Sequence, residues 1–149
     1  MTERSRDEAT DAMPDLGRIV ETAVYVHDLD RARAFYVGVL RAGVLLDTAR
    51  LLALDVNGES VLLLFRRGAT SEPLETPGGT VPSHGGLGIQ HLAFAIAMAD
   101  LERWAERLAR SGVAIESRVK WPRGGESLYV RDPDGHSVEL ITPGLWATY

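Results

Sequence analysis

The chain has 149 residues, 45% hydrophobic and 25% charged, with a formal net charge of −5 at pH 7 and no cysteine. This is the length and composition of one folded globular domain, which excludes wholesale disorder and a low-complexity architecture. Negative charge with no Lys/Arg cluster beyond Arg66-Arg67 disfavours a nucleic-acid partner, and without thiols any metal falls to His, Asp or Glu.

Residues 1–17 carry few apolar side chains and seven charges, so a disordered tail is expected. They lack the apolar stretch of a signal peptide, and no run approaches the ~18 apolar residues of a membrane span; a cytoplasmic protein without membrane association is expected. A first module is assigned to residues 18–67. It opens on an apolar, β-branched strand over 19–26, after which Asp28 can cap a helix over 29–40. Leu29, Ala32, Phe35, Tyr36 and Leu40 recur there at helical spacing. A strand over 51–56 then turns through Asn57-Gly58, the preferred two-residue hairpin turn, into a strand over 59–65. Pro73, Pro77, Pro82 and six glycines make residues 68–88 a connector. The pattern restarts in a second module, 89–145. A strand over 89–97 leads to a helix capped by Asp100 and ended at Gly112, followed by strands over 113–119, 127–131 and 136–142. The last two strands meet at the turn Asp132-Pro133-Asp134-Gly135, and a tail, 146–149, follows.

The two halves repeat one another. Gly58-Glu59-Ser60-Val61-Leu62-Leu63 matches Gly135-His136-Ser137-Val138-Glu139-Leu140, and Glu21-Thr22-Ala23-Val24 matches His91-Leu92-Ala93-Phe94. The expected fold is α+β, a tandem of βαβββ modules. Strand alternation assigns the apolar positions, among them Val24, Val26, Phe94, Val138 and Leu140, to the helix side. The opposite face receives Glu21, Ala23, Tyr25, His91, Ala93, Ser137 and Glu139, and Leu62 is the repeat equivalent of Glu139. Ser127, Tyr129 and Arg131 share a pocket face by the same period of two. Trp121 precedes a Pro/Gly stretch at the pocket mouth. Two buried, unpaired glutamates beside His91 would be costly, and a cation would compensate them. The competing readings are a core histidine at His91 and an exposed strand-start residue at Glu21. His27 and Asp28 read as a strand end and a cap, His84 as a loop histidine able to close over the pocket, and His136 as structural. Trp104 reads as helix packing, and Trp146 as cover for an edge or a subunit interface.

Val26-His27-Asp28-Leu29 with Phe35-Tyr36, Gln90-His91-Leu92-Ala93-Phe94, and the segment from Ser127 through Asp132-Pro133-Asp134-Gly135 to Leu140 carry a family resemblance. Over about residues 18–145 the chain resembles the vicinal oxygen chelate superfamily. Its members include glyoxalase I, bleomycin resistance proteins, extradiol dioxygenases, fosfomycin resistance enzymes and methylmalonyl-CoA epimerase. The resemblance implies a U-shaped mixed sheet with helices on its outer face, enclosing one divalent ion (Zn, Ni, Mn or Fe). Carried onto this chain, the ligand positions are Glu21, His91 and Glu139, with Leu62 at a vacant fourth. The implied protein is a small-molecule enzyme of lyase or isomerase type working through a chelated enolate or oxyanion, with Glu21 or Glu139 as base and Tyr129 as donor. Ala23, Tyr25, Leu62, Ala93, Trp121, Ser127 and Arg131 would line its pocket, and a homodimer is implied. Three departures bear on the reaction. Leu62 stands where four-ligand glyoxalases carry a carboxylate, Glu21 stands where dioxygenases and fosfomycin enzymes carry histidine, and one arginine does not make an anion clamp. A metal-free drug-binding protein of the bleomycin-resistance type, a ring-cleaving dioxygenase and a fosfomycin-modifying enzyme are the alternatives.

Overall fold

The computed structural model describes residues 13–149, so the tail expected over 1–17 lies mostly outside the described residues. Residues 13–20 are exposed and without regular structure. The first module comprises β1 (Glu21–Val26), α1 (Leu29–Arg33), β2 (Gly43–Asp47), β3 (Leu51–Val56) and β4 (Ser60–Arg66). Its strands form a mixed sheet in the order β1-β4-β3-β2, with β1 parallel to β4. A short hairpin, β5 (Leu74–Thr76) and β6 (Gly79–Val81), separates it from the second module. There β7 (His91–Ala95), α2 (Leu101–Arg110), β8 (Ser117–Lys120), β9 (Glu126–Arg131) and β10 (Ser137–Ile141) repeat the pattern in the order β7-β10-β9-β8. The fold is α+β with a duplicated βαβββ order, and the two four-stranded sheets are separate within the chain.

Local chemistry accounts for most of these elements and for their departures from expectation. The Asp28 carboxylate accepts the Asp30 and Arg31 N–H groups at 2.8 and 3.1 Å, capping α1. The helix expected over 29–40 widens after Arg33 into a π-type turn, where Leu40 N–H bonds to the Phe35 carbonyl. Val37, Gly38 and Val39 are weak helix formers, and Arg107 of α2 takes the Gly38 and Val39 carbonyls. Asp100 does not cap α2 with its side chain, which instead accepts from Arg103 at 2.7 Å after a 3-10 turn. The connector is not wholly irregular, because Pro77-Gly78 forms the turn of the β5–β6 hairpin.

One correction follows from register. Val56 pairs with Ser60, so three residues, not two, close the β3–β4 hairpin. The extra residue flips β4: Leu62 pairs with Leu54 and is 4% exposed in the core, while Leu63 pairs with Ala23 and Ala53 on the opposite face. Glu139 pairs with Ala93 in the second module, so its true counterpart is Leu63 and not Leu62.

A single apolar cluster joins both modules, with Val24, Leu54 and Leu64 from one sheet and Leu128, Val138 and Leu140 from the other. Phe35, Tyr36, Leu101 and Leu108 of the helical segments complete it, and Trp104 packs against its edge. Polar stitches fix the modules to each other. The Tyr36 hydroxyl donates to Asp132 at 2.8 Å, and His136 uses both nitrogens, meeting the Tyr25 carbonyl at 2.8 Å and the Gln90 N–H at 3.0 Å. His27 bonds to Asp134 at 2.7 Å.

Candidate metal centre and pocket

His91 and Glu139 are brought together by adjacent parallel strands. In the β7–β10 register His91 lies opposite Ser137 and Ala93 opposite Glu139, so period-two alternation puts both side chains on one face. His91 Nε2 and Glu139 Oε2 are 3.4 Å apart, with the imidazole half exposed and Glu139 only 4% exposed. The Ser137 carbonyl lies 3.1 Å from His91 Nδ1, which donates to it and leaves Nε2 directed at the carboxylate. The other carboxylate oxygen accepts from the Ser127 hydroxyl at 2.5 Å. Ser127 in turn accepts from the Trp121 indole N–H at 2.8 Å. A donor chain from indole to hydroxyl to carboxylate therefore fixes Glu139 with one oxygen free. The Tyr129 ring stacks on His91 with centroids 6.3 Å apart, and burial and then the Glu139 carboxylate push its phenol pKa up.

The pair lines a cavity of about 470 Å³. Ala93 and Ala95 contribute small side chains, and Trp121, Tyr129, Trp146 and Tyr149 supply aromatic walls. The last two were missed as pocket residues when the segment after 145 was read as a tail. Aromatic residues three apart in a short terminal segment were the only available signal.

The remaining expected site residues lie elsewhere. Glu21 is exposed at the start of β1, and its side chain makes no hydrogen bond or ion pair among the described residues. Tyr25, four residues further on, donates its backbone N–H to the Gln90 side chain, which puts Glu21 about 13 Å along β1 from that contact. Accordingly, no group of three His, Asp or Glu side chains able to hold a metal occurs among the described residues. Tyr25 stacks on Phe65, and its hydroxyl meets His84 Nδ1 at 2.5 Å, so the connector rather than a pocket occupies that part of the face. Ala23 is half-buried beside it and lines neither cavity described here. Arg131 is held away from the His91–Glu139 cavity by Glu116, at 2.5 and 2.9 Å. Leu62 borders a different cleft, about 920 Å³, which runs from Thr22 and Val61 to the edge of β7.

The donor chemistry fits a divalent ion in part. An imidazole nitrogen and a carboxylate oxygen directed at each other, each side chain oriented by a second hydrogen bond, suit Zn, Ni, Mn or Fe. Glu21, the third expected ligand, forms no three-residue group with this pair among the described residues.

Comparison with known proteins agrees with this architecture. The chain is 28% identical over 121 residues to the metallothiol transferase FosB of Staphylococcus saprophyticus, covering 80% of this chain and 73% of that protein. It is 32% identical over 120 residues to the catechol-2,3-dioxygenase of Bacillus subtilis, of which it spans 38%. The crystal structure of lactoylglutathione lyase from Agrobacterium tumefaciens superposes with a TM-score of 0.81 at 33% identity, covering 90% of this chain and 99% of that one. Residues 18–140 match the model of one family, and the chain belongs to the Glyoxalase/Bleomycin resistance protein/Dioxygenase superfamily.

Proposed function

We propose that this protein is a divalent-metal-dependent enzyme that acts on a small molecule carrying two neighbouring oxygens, by lyase or isomerase chemistry. The observation that supports this reading is the His91–Glu139 pair, 3.4 Å apart in the lining of a cavity. His91, Glu139 and Glu21 of the partner subunit would hold the ion in a homodimer. In each chain β1 and β7 are sheet edges, and pairing them between copies would cover two open edges and bring Glu21 to the other chain's pair. When bound, the ion supplies Lewis acidity to the substrate oxygens. The protein's own groups do the rest. The Tyr129 phenol, kept protonated by its surroundings, donates to an oxyanion as charge develops. Glu21, which has no side-chain hydrogen-bond partner among the described residues, takes the proton from the carbon next to that oxygen and returns it to a neighbouring atom.

The fosfomycin reading draws on relatives such as FosB and on the glutathione transferase FosA of Serratia marcescens. The lining argues against it, since the cavity contains no Lys or Arg to clamp a phosphonate. A ring-cleaving reading gains from the aromatic walls and would need iron. Elemental analysis of protein purified without chelators tests the proposal. About one ion per chain, lost in His91→Ala and Glu139→Gln, is expected. Unchanged, substoichiometric metal in both variants, together with binding of an aromatic drug, would favour the sequestering alternative.

A further inference from the structure

We propose that residues 143–149 make the cavity a site for an uncharged, planar aromatic substrate body, held against Trp146 with its oxygen-bearing edge toward His91 and Glu139. Only the placement of that edge rests on the metal-enzyme reading. The aromatic wall stands on geometry of its own.

Trp146 is 67% exposed, yet the backbone carrying it is fixed. Trp146 and Tyr149 exchange backbone hydrogen bonds at 3.0 and 3.1 Å, and the Tyr149 hydroxyl donates to the Ile141 carbonyl at 2.9 Å. Two glycines seat this segment against the turn that follows Trp121. Gly144 has φ +114, and a Cβ there would lie 2.5 Å from the Gly125 nitrogen; a Cβ on Gly125 would lie 2.9 Å from the Gly144 carbonyl carbon. Side chains at either position would push the two aromatic walls apart. The indoles of Trp121 and Trp146 thus border one cavity from two segments locked backbone to backbone.

Charge and size narrow the occupant. Beyond His91 and Glu139, which face the oxygen-bearing edge, the lining has no ionisable side chain except the phenols of Tyr129 and Tyr149, so a charge on the body away from that pair gains no ion-pair partner among the lining side chains. Ala93 and Ala95 leave space over the strand, and about 470 Å³ is in the range of small-molecule sites. A planar ring would cover the apolar face that Trp146 exposes to water and stack on it.

Calorimetric titration of the full chain with 2-naphthol tests this, because that probe has an aromatic body and no chelating oxygen pair. Propylphosphonate serves as the anionic control. The expected result is saturable naphthol binding with and without chelator treatment, weakened about tenfold in Trp146→Ala and restored by Trp146→Phe. Metal content and oligomeric state should not change in these variants. Absent naphthol binding, binding indifferent to Trp146→Ala, or tighter binding of propylphosphonate by chelator-treated protein would overturn the inference. So would dissociation of the oligomer in Trp146→Ala, which would make Trp146 an interface residue. Tail-dependent naphthol binding in a protein that takes up no metal would defeat the metal-enzyme reading and leave the aromatic site standing.

Discussion

Ser127 stands between an indole and a carboxylate, and its hydroxyl has one function in each direction. Removing it frees Glu139 to rotate, so Ser127→Ala should lower metal affinity about 10- to 100-fold in equilibrium dialysis. Unchanged affinity would mean that packing alone orients the carboxylate. Tyr36 makes a separate prediction about pH. It is fully buried and donates to Asp132, and burial first, then the Asp132 charge, raise its pKa far above the ordinary 10.0. Below pH 10 both folded and unfolded chains hold this proton. As pH rises above 10 only the unfolded chain releases it, so stability is lost by about 1.4 kcal/mol per pH unit. Urea denaturation at about pH 8 and about pH 11 should show a smaller alkaline loss in Tyr36→Phe than in the parent. The convergence of His91, Glu139, Ser127 and Tyr129 on one face was legible from period-two alternation. The Trp146–Tyr149 wall was not, because periodicity carries no information about where an irregular segment folds back.

At the scale of elements, one extra hairpin residue decides which leucine of β4 enters the core. The repeat match between residues 58–63 and 135–140 hid this, because a motif can be shared while strand register is offset by one. Leu62→Ala should cost about 2–5 kcal/mol and Leu63→Ala clearly less in denaturant titration. Equal costs would contradict the register. Among the described residues β1 and β7 each lack a second strand partner, although the Tyr25 end of β1 is taken by Gln90 and His136. Ser137 N–H bonds to the Gln90 carbonyl and Ile96 N–H to the Ile141 carbonyl, so the intervening N–H of Ala93 turns outward from its sheet. Ala93→Pro therefore spares the bonds within the chain and blocks pairing at that edge. Sedimentation velocity should show monomers for this variant and dimers for the parent. A dimeric variant would place the interface elsewhere. The strands of the two modules other than β2 were legible in hydrophobic patterning, whereas β2 is exposed along its whole length and presents no buried face to read. The β5–β6 hairpin was hidden by its glycines and prolines, which read as loop until Pro77-Gly78 is recognised as a turn.

The whole molecule is held as one body, which sets the requirement for the site. The continuous core, the Tyr36–Asp132 bond and the double use of His136 lock β1 against the second module. Glu21 therefore cannot swing to His91 within its own chain without breaking buried contacts, and under the proposed reading a second copy supplies it. Mixed dimers test this most directly. A heterodimer carrying Glu21→Gln in one chain and His91→Ala in the other has one site with both lesions and one with neither. Neither variant homodimer should retain metal, whereas the purified heterodimer should bind about one ion per dimer and recover activity at that site. A heterodimer as empty as its parents would contradict a site shared between subunits.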